Sequence, residues 1–585
     1  MKDKKKLSNL RTILQFLKPH WFLTLFAPLC VLLEVWAELE QPGLMAKIVD
    51  DGILGNNPEC IKPLGIKMVA ILLIGVAGGI MSIYAAGKVS YQFGAAMRTK
   101  MFEKIQHFSF YNIDRLQVGS LITRMGDDIN RVQGVVQASM RLLFRAPFMF
   151  VGAVVMVLTL NVNLSVVLLF LMAASMCVVV FIMKKTLPLF IEQQKKRDGF
   201  TSLVQEILAG VRVTKAYVRE EHERQRFEQA NLDLKESTLH VSKIMSAMMP
   251  VVSFALNVGI IIVIYIGAKE VQVGKMQIGG IMASINYLAQ IQMALMMASH
   301  VIMSISQAEA SMNRINEVLE TPVETGNDSG DDFINGDLEF KNVSFGYKDA
   351  LKENENLALQ LENISFSIQK GGTLAIMGET GAGKSTLVNL IPRFYDVDSG
   401  SITIAGKDIK SLNRTQLQKH VGIVLQHTLL FSGSIADNLK IGNDNATEIQ
   451  MMEVCRQVQM EDYVNSFPEK LEHRIEQEAT NLSGGQKQRF SIARTLLAKP
   501  DILILDDSFC ALDLLTESKV KQALHKLNCT KIIIAQRISS VVNADKILLL
   551  GAGKVIDCGS HNELMRRCSL YKEIYKSQTG KEDTL

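Results

Sequence analysis

The chain has 585 residues, enough for at least two domains, with 48% hydrophobic and 21% charged residues. A formal net charge of +4 over that length is too small to make nucleic acid a partner. The eight cysteines show no Cys-x-x-Cys pair and no zinc-like spacing, so they exclude a zinc module and point to reduced thiols.

The N-terminal lysines (Lys2, Lys4, Lys5, Lys6) precede a long apolar stretch and read as a cytoplasmic retention signal rather than a nucleic-acid arm. No small-residue cleavage site follows that stretch, so it is expected to remain as a span and not to be removed as a signal peptide. Crossing a bilayer takes about 20 apolar residues. Segments of that kind are predicted at about 21–41, 68–94, 140–160, 164–185, 244–268 and 276–306, with Asn161-Val162-Asn163 as the turn between the third and fourth. Residues 1–320 are therefore expected to form a six-helix domain in the lipid bilayer of the cell membrane. With the N-terminus inside, the connections at about 95–138 and 184–243 are cytoplasmic, charged and helical in pattern. Helices continuing well past the bilayer would bring the inner turns, near 111–123 and 209–217, against a soluble domain.

Glu34 and Glu38 lie four residues apart on one face of the first span. Carboxylates there cost roughly 2.5–3.5 kcal/mol each on insertion scales. They read either as a cation-attracting patch along a polar pathway or as hydrated groups near the outer leaflet. The last span carries Met282, Met293, Met296, Met297 and Met303 among Asn286, Gln290 and Gln292. Such a thioether surface suits a pocket for varied ligands, with Met293 and Met297 as pathway residues; lipid-facing packing is the plainer alternative.

A polar, acidic linker at 321–335 leads into residues 336–585, which alternate apolar and charged residues like a soluble α/β domain. Tyr347 follows the strand Leu338–Phe345, where it either stacks on adenine or simply ends the strand. The buried strand Leu374–Met377 runs into Gly378-Glu379-Thr380-Gly381-Ala382-Gly383-Lys384-Ser385, and Thr386 opens a helix. That context makes the loop a phosphate cradle of backbone N–H groups, with Lys384 on the β- and γ-phosphates and Ser385 on Mg²⁺. Gln426, after the strand Val421–Leu425, is placed to reach the metal. Leu482-Ser483-Gly484-Gly485-Gln486 opens another helix. The buried strand Ile502–Leu505 ends in Asp506, suited to hold the magnesium shell through water.

The order Tyr347, Gly378–Ser385, Gln426, Leu482–Gln486, Asp506, Asp513 matches that of ATP-binding cassette (ABC) proteins. Over nearly all of residues 8–575 the chain resembles an ABC exporter half-transporter, six spans ahead of one nucleotide domain. The resemblance implies that ATP is sandwiched between one chain's phosphate loop and the Ser483-Gly484-Gly485 turn of another, with the nucleotide domain in the cytoplasm. Two positions depart from the family pattern. The family's glutamate after the strand-ending aspartate is Asp507 here, and its switch histidine falls at Gln536. Glu476-Gln477-Glu478-Ala479 also departs from the usual Gly-Glu-x-Gly.

An aspartate leaves the carboxylate over about 1 Å short of its station, and general-base catalysis depends first on geometry. The chain thus resembles the degenerate-site subunit of bacterial heterodimeric multidrug exporters. It is expected to hold ATP, hydrolyse it poorly in its own site, and pair with a different half-transporter chain to expel drugs or other small amphipathic molecules. A peptide, lipid or siderophore carrier of the same fold, and an ATP-gated regulatory or channel-like protein, are the alternatives.

Overall fold

The computed structural model describes residues 2–323, 333, 335–347 and 359–579. The acidic centre of the expected linker, 324–332, lies outside the described residues. The chain divides into two compact units, Met1–Lys104 with Gly119–Thr321, and Ile105–Val118 with Pro322–Leu585.

The first unit is built on α1 (Trp21–Lys47), α2 (Ile61–Gln106), α3 (Ile129–Leu160), α4 (Val162–Ala209), α5 (Glu220–Gln272) and α6 (Ile278–Glu320). With 48, 53 and 43 residues, α4, α5 and α6 are about 65–80 Å long at about 1.5 Å per residue, more than twice a hydrocarbon core of about 30 Å. Among the described residues, Ser8–Leu54, Pro58–Gln106, Val118–Leu160 and Glu220–Gln272 are long and apolar enough to cross a membrane. The remaining expected spans, 164–185 and 276–306, fall on α4 and α6.

The turn between α3 and α4 is tighter than expected, because Asn161 alone makes it. Its backbone is extended, ending α3, and its side-chain oxygen accepts from the Leu164 N–H at 3.2 Å, capping α4. Val31, Val35 and Leu39 of α1, Met149, Ala153 and Val157 of α3, and Tyr287, Leu288 and Ile291 of α6 share one core. Within it the Tyr287 hydroxyl donates to the Leu39 carbonyl at 2.8 Å, satisfying the one polar atom a buried tyrosine brings.

The second unit holds two principal sheets. An antiparallel one has the order β2-β1-β4-β5, from β1 (Leu338–Phe345), β2 (Leu361–Ile368), β4 (Ser399–Ile404) and β5 (Lys407–Asp408). The other, from β3 (Thr373–Gly378), β6 (Val421–Val424), β7 (Ile502–Asp506), β8 (Thr530–Ile534), β9 (Lys546–Gly551) and β10 (Lys554–Gly559), has the order β10-β9-β3-β8-β7-β6. All its pairs are parallel except the antiparallel β9–β10 edge. Its central strands are buried on both faces, which is why they read as unbroken aliphatic runs. The helices that matter below are α7 (Lys384–Asn389), α8 (Gly484–Leu497), α9 (Leu514–His525) and the last described helix, α10 (Ser569–Thr579).

The inner segment Ile105–Val118, from the first of the two long connections expected to be cytoplasmic, packs within this second unit. Its short helix Phe110–Leu116 is capped by Ser109. The Phe110 ring lies 4.5 Å from that of Phe394, and the Tyr395 hydroxyl donates to Asp114 at 2.7 Å. Burial, with Asp114 adding to it, pushes the Tyr395 hydroxyl pKa well up. The other inner turn forms the helix Val211–Ala216, followed by exposed Tyr217 and Val218.

Candidate nucleotide site

The phosphate loop leaves the carboxyl end of β3, between β8 and β9, where open α/β sheets form their ligand crevices. Gly378 makes the exit possible: its φ is 152°, and a Cβ there would lie 2.2 Å from the Leu550 carbonyl oxygen. Gly383 caps α7 at φ 93°, where a Cβ would come within 2.8 Å of the Leu361 side chain. Other residues are thus barred at both positions by space as well as by conformation.

A cleft of about 210 Å³ opens along this loop, lined by Thr380, Gly381, Gly383, Lys384, Ser385 and Thr386 together with Gln426, Asp506, Asp507 and Gln536. Gly378, Glu379 and Ala382 build the loop without lining the cleft. Gln360, which carries no motif, also lines it. Lys384 crosses its own loop, its ammonium donating to the carbonyls of Gly378 at 2.8 Å and Glu379 at 2.7 Å. Burial lowers its pKa, opposed by Asp507 and Asp506. Tyr347 does not line the cleft; its hydroxyl donates to Thr386 Oγ1 at 3.3 Å and its ring is perpendicular to that of Tyr395.

Asp506 is 4% exposed. Desolvation raises its carboxyl pKa, Asp507 adds to the rise, and a hydrogen bond from Ser385, with Lys384 and His427 nearby, works against it. A buried carboxylate, a serine hydroxyl and an amide oxygen from Gln426 are hard oxygen donors around one cleft. That donor set fits Mg²⁺.

Asp507 has a φ of 47°, an unusual conformation for a non-glycine residue. Its main chain is tied on both sides, its N–H donating to the Ile534 carbonyl at 3.2 Å and its own carbonyl accepting from Gln488 at 3.3 Å. Its carboxylate accepts from Gln536 Nε2 at 3.0 Å. The two residues that depart from the family pattern are therefore bonded to each other.

A second cleft is lined by Ser483, Gly484, Gly485, Arg489, Ala511, Leu512 and Asp513, and shares no residue with the first. Ser483 and Gln486 form a reciprocal cap on α8, Ser483 Oγ accepting from the Gln486 N–H at 3.3 Å and Gln486 Oε1 from the Ser483 N–H at 2.8 Å. Gly485 is required by proximity, since a Cβ would sit 2.8 Å from the Ala511 carbonyl oxygen. Asp513 caps α9, accepting from the Thr516 N–H at 3.0 Å, a bond that holds its carboxyl pKa down. Just upstream, Glu478 (φ 56°) and Ala479 (φ 52°) keep a left-handed turn without glycine.

In the first unit, Glu34 and Glu38 meet basic partners from α3. Arg145 of α3 binds both, and Arg141 lies 3.7 Å from Glu34; the Glu34 side chain is largely enclosed, whereas that of Glu38 stays partly exposed. Two guanidinium groups match two carboxylates, so the cluster carries no formal net charge. Met293 is 60% exposed, whereas Met297 is half-buried and Met296 packs beside Val252.

Comparison with known proteins agrees with this geometry. The family described as ABC transporter transmembrane region matches residues 24–295, and that described as ABC transporter matches residues 361–509. An uncharacterized ABC transporter ATP-binding protein, YfiB, of Bacillus subtilis (strain 168) is 38% identical over 97% of this chain and 98% of its own length. An ATP-dependent lipid A-core flippase of Syntrophus aciditrophicus (strain SB) is 30% identical over 98% of this chain and 95% of its own. The structure of a bacterial Atm1-family ABC exporter with ATP bound has the same fold, with a TM-score of 0.78 at 22% identity, over 97% of this chain and 99% of the other.

Proposed function

This chain belongs to the ABC transporter family, and from that premise we propose that it is one of two unlike subunits of an ATP-driven exporter for amphipathic small molecules. Its own nucleotide site holds ATP firmly and hydrolyses it poorly; its Ser483-Gly484-Gly485 turn completes a competent site on the partner chain. The observation that carries this reading is the hydrogen bond between Gln536 and Asp507. Where the family places a long carboxylate and a cation, this chain has a short carboxylate already engaged by a neutral amide. Such a carboxylate is both too short to reach an attacking water and occupied.

Binding uses other residues, and those are complete. Backbone N–H groups of the loop and the N-terminal end of α7 receive phosphate oxygens, while Lys384 exchanges its carbonyl partners for phosphate. Tyr347 offers its ring to adenine. Ser385 would hold Mg²⁺, with Gln426 near it and Asp506 acting through water; the ion would neutralise charge between the β- and γ-phosphates. Closure of two nucleotide domains on ATP then moves the inner turns at 111–123 and 209–217 and alternates access through the spans. The N-terminus and the nucleotide domain lie on the cytoplasmic side. Met293, exposed on α6, belongs to the cargo surface. A lipid cargo is the second reading, favoured by the lipid A-core flippase among the relatives.

The test is ATP turnover by the purified chain alone. Little turnover alone, restored by a second half-transporter that co-purifies from the native membrane, is the expected result. Brisk Mg²⁺-dependent turnover by the self-paired chain overturns the reading.

A further inference from the structure

We propose that the loop carrying Gln536 is set by a two-sided frame that never touches nucleotide, formed by Gln578 of α10 and Glu517 of α9. The consequence for ATP rests on the cleft that Gln536 lines being the nucleotide site, as proposed above, with Gln536 facing the terminal phosphate in it; the frame itself does not.

The loop Ala535–Ser540 leaves the carboxyl end of β8 and forms a thin wall. On one side is the nucleotide cleft; on the other a second cavity of about 210 Å³, with Asp507, Ile534 and Gln536 lining both. Ala535 and Ile538 are packed in the core, but Gln536, which lines both cavities, has open space on either side. Between those packed residues, polar contacts to the main chain set its position. Gln578 supplies two, both to main chain. Its Oε1 accepts from the Ile538 N–H at 2.7 Å, and its Nε2 donates to the Gln536 carbonyl at 2.8 Å. One side-chain amide thus spans three loop residues and uses both of its ends.

The placement of Gln578 does not depend on those bonds. Tyr571 of α10 is fully buried among Ala535, Ile538, Val541 and Leu549, and its hydroxyl lies 2.8 Å from His561 Nδ1. Ile574 and Tyr575 pack on the same cluster. Helix α10 is therefore anchored in the core beneath the loop, and Gln578 projects from a fixed base.

The other flank is held by Glu517, which is 4% exposed. It accepts from Ser540 Oγ at 2.8 Å and binds Lys521, with Arg537 at 3.6 Å. A carboxylate at this depth needs that company. Gln578 and Glu517 are positioning residues, acting on ATP only through Gln536.

Hydrogen exchange of the full-length protein, together with the dissociation rate of a fluorescent ATP analogue, tests the frame. Gln578 is solvent-exposed, so Gln578→Ala should leave the thermal midpoint unchanged. Exchange in the peptide covering Gln536–Ser540 should rise by at least about 2- to 10-fold, the range expected for each of the two lost hydrogen bonds, and the analogue should leave faster by a similar factor. Gln578→Glu retains the oxygen for Ile538 and should return exchange toward the original rate. Glu517→Gln, which keeps the Ser540 bond but strands Lys521 and Arg537, should loosen the same peptide. Unchanged exchange at 536–540 in Gln578→Ala, or acceleration spread evenly over the whole nucleotide domain, overturns the frame. Faster exchange with unaltered ATP release keeps the frame and instead removes Gln536 from the phosphate.

Discussion

Restoring both altered groups, Asp507→Glu with Gln536→His, is expected to switch on hydrolysis in this chain's own site. The first change adds one carbon–carbon bond, about 1.5 Å of reach, which matches the shortfall of the aspartate. A well-placed general base contributes about 10²–10⁴-fold, or about 3–5 kcal/mol of barrier. Asp507→Glu alone should recover much less. Gln536 now donates to that carboxylate at 3.0 Å, and breaking a hydrogen bond to a charged group costs about 1.5–3 kcal/mol, roughly tenfold or more in rate. Replacing the amide with imidazole removes that competitor and supplies a group able to carry charge. The assay is phosphate release from the purified chain in lipid nanodiscs at saturating ATP, with Lys384→Ala as the blank. A double variant that binds ATP yet turns over at the original rate would refute the argument, because the impairment would then lie elsewhere.

Three further outcomes follow from the structure. Arg145→Ala leaves Glu34 with only Arg141 at 3.7 Å and Glu38 without its partner, and because Glu38 is partly exposed the cost falls below the roughly 3–5 kcal/mol of a fully buried pair. The thermal midpoint and folded yield should both drop, with recovery when the two glutamates are also made glutamine; full stability of Arg145→Ala alone contradicts the pairing. Burial lowers the His561 pKa below the ordinary value of 6.5, so its neutral form is the one folding favours. The stabilisation is complete above that pH and is lost as pH falls below it, so the thermal midpoint should decline on acidification and His561→Phe should flatten the decline. Glu478→Gly relieves a left-handed residue, worth about 1–2 kcal/mol, less about 0.5–1 kcal/mol for glycine's extra chain entropy. A raised midpoint of the nucleotide domain is the expected result, and a lowered one would mean that the Glu478 side chain itself has a role.

What the sequence made legible is what short-range chemistry determines. The phosphate loop, the strand ending in Asp506 and the Ser483 cap each lie within a few residues, where glycine, an aliphatic run or a capping pair leaves little freedom. The long helices were readable for the same reason, although Asn161 compressed an expected three-residue turn into one. Partners distant along the chain were not legible. Arg145 lies 111 residues from Glu34, and although it falls inside the expected span 140–160, nothing near it in the sequence names its partner. Gln578 likewise bonds a carbonyl 42 residues away, from a helix carrying no motif. Sequence marked the groups that line the candidate cleft, while the groups that hold them were set by tertiary packing.

The docking of Ile105–Val118 within the second unit bears on how the protein is made. Asp114 and Tyr395 are 281 residues apart, so at about 5–20 residues per second the ribosome delivers the tyrosine roughly 15–60 s after the aspartate. During that interval Phe110 waits without its aromatic neighbours. A fragment cut at residue 322 would emerge lacking this strip and leave Phe394 and Tyr395 bare, so the soluble half is not a self-sufficient module. Lesions in a stretch that lies between two membrane helices in sequence should accordingly surface as misfolding of the nucleotide domain.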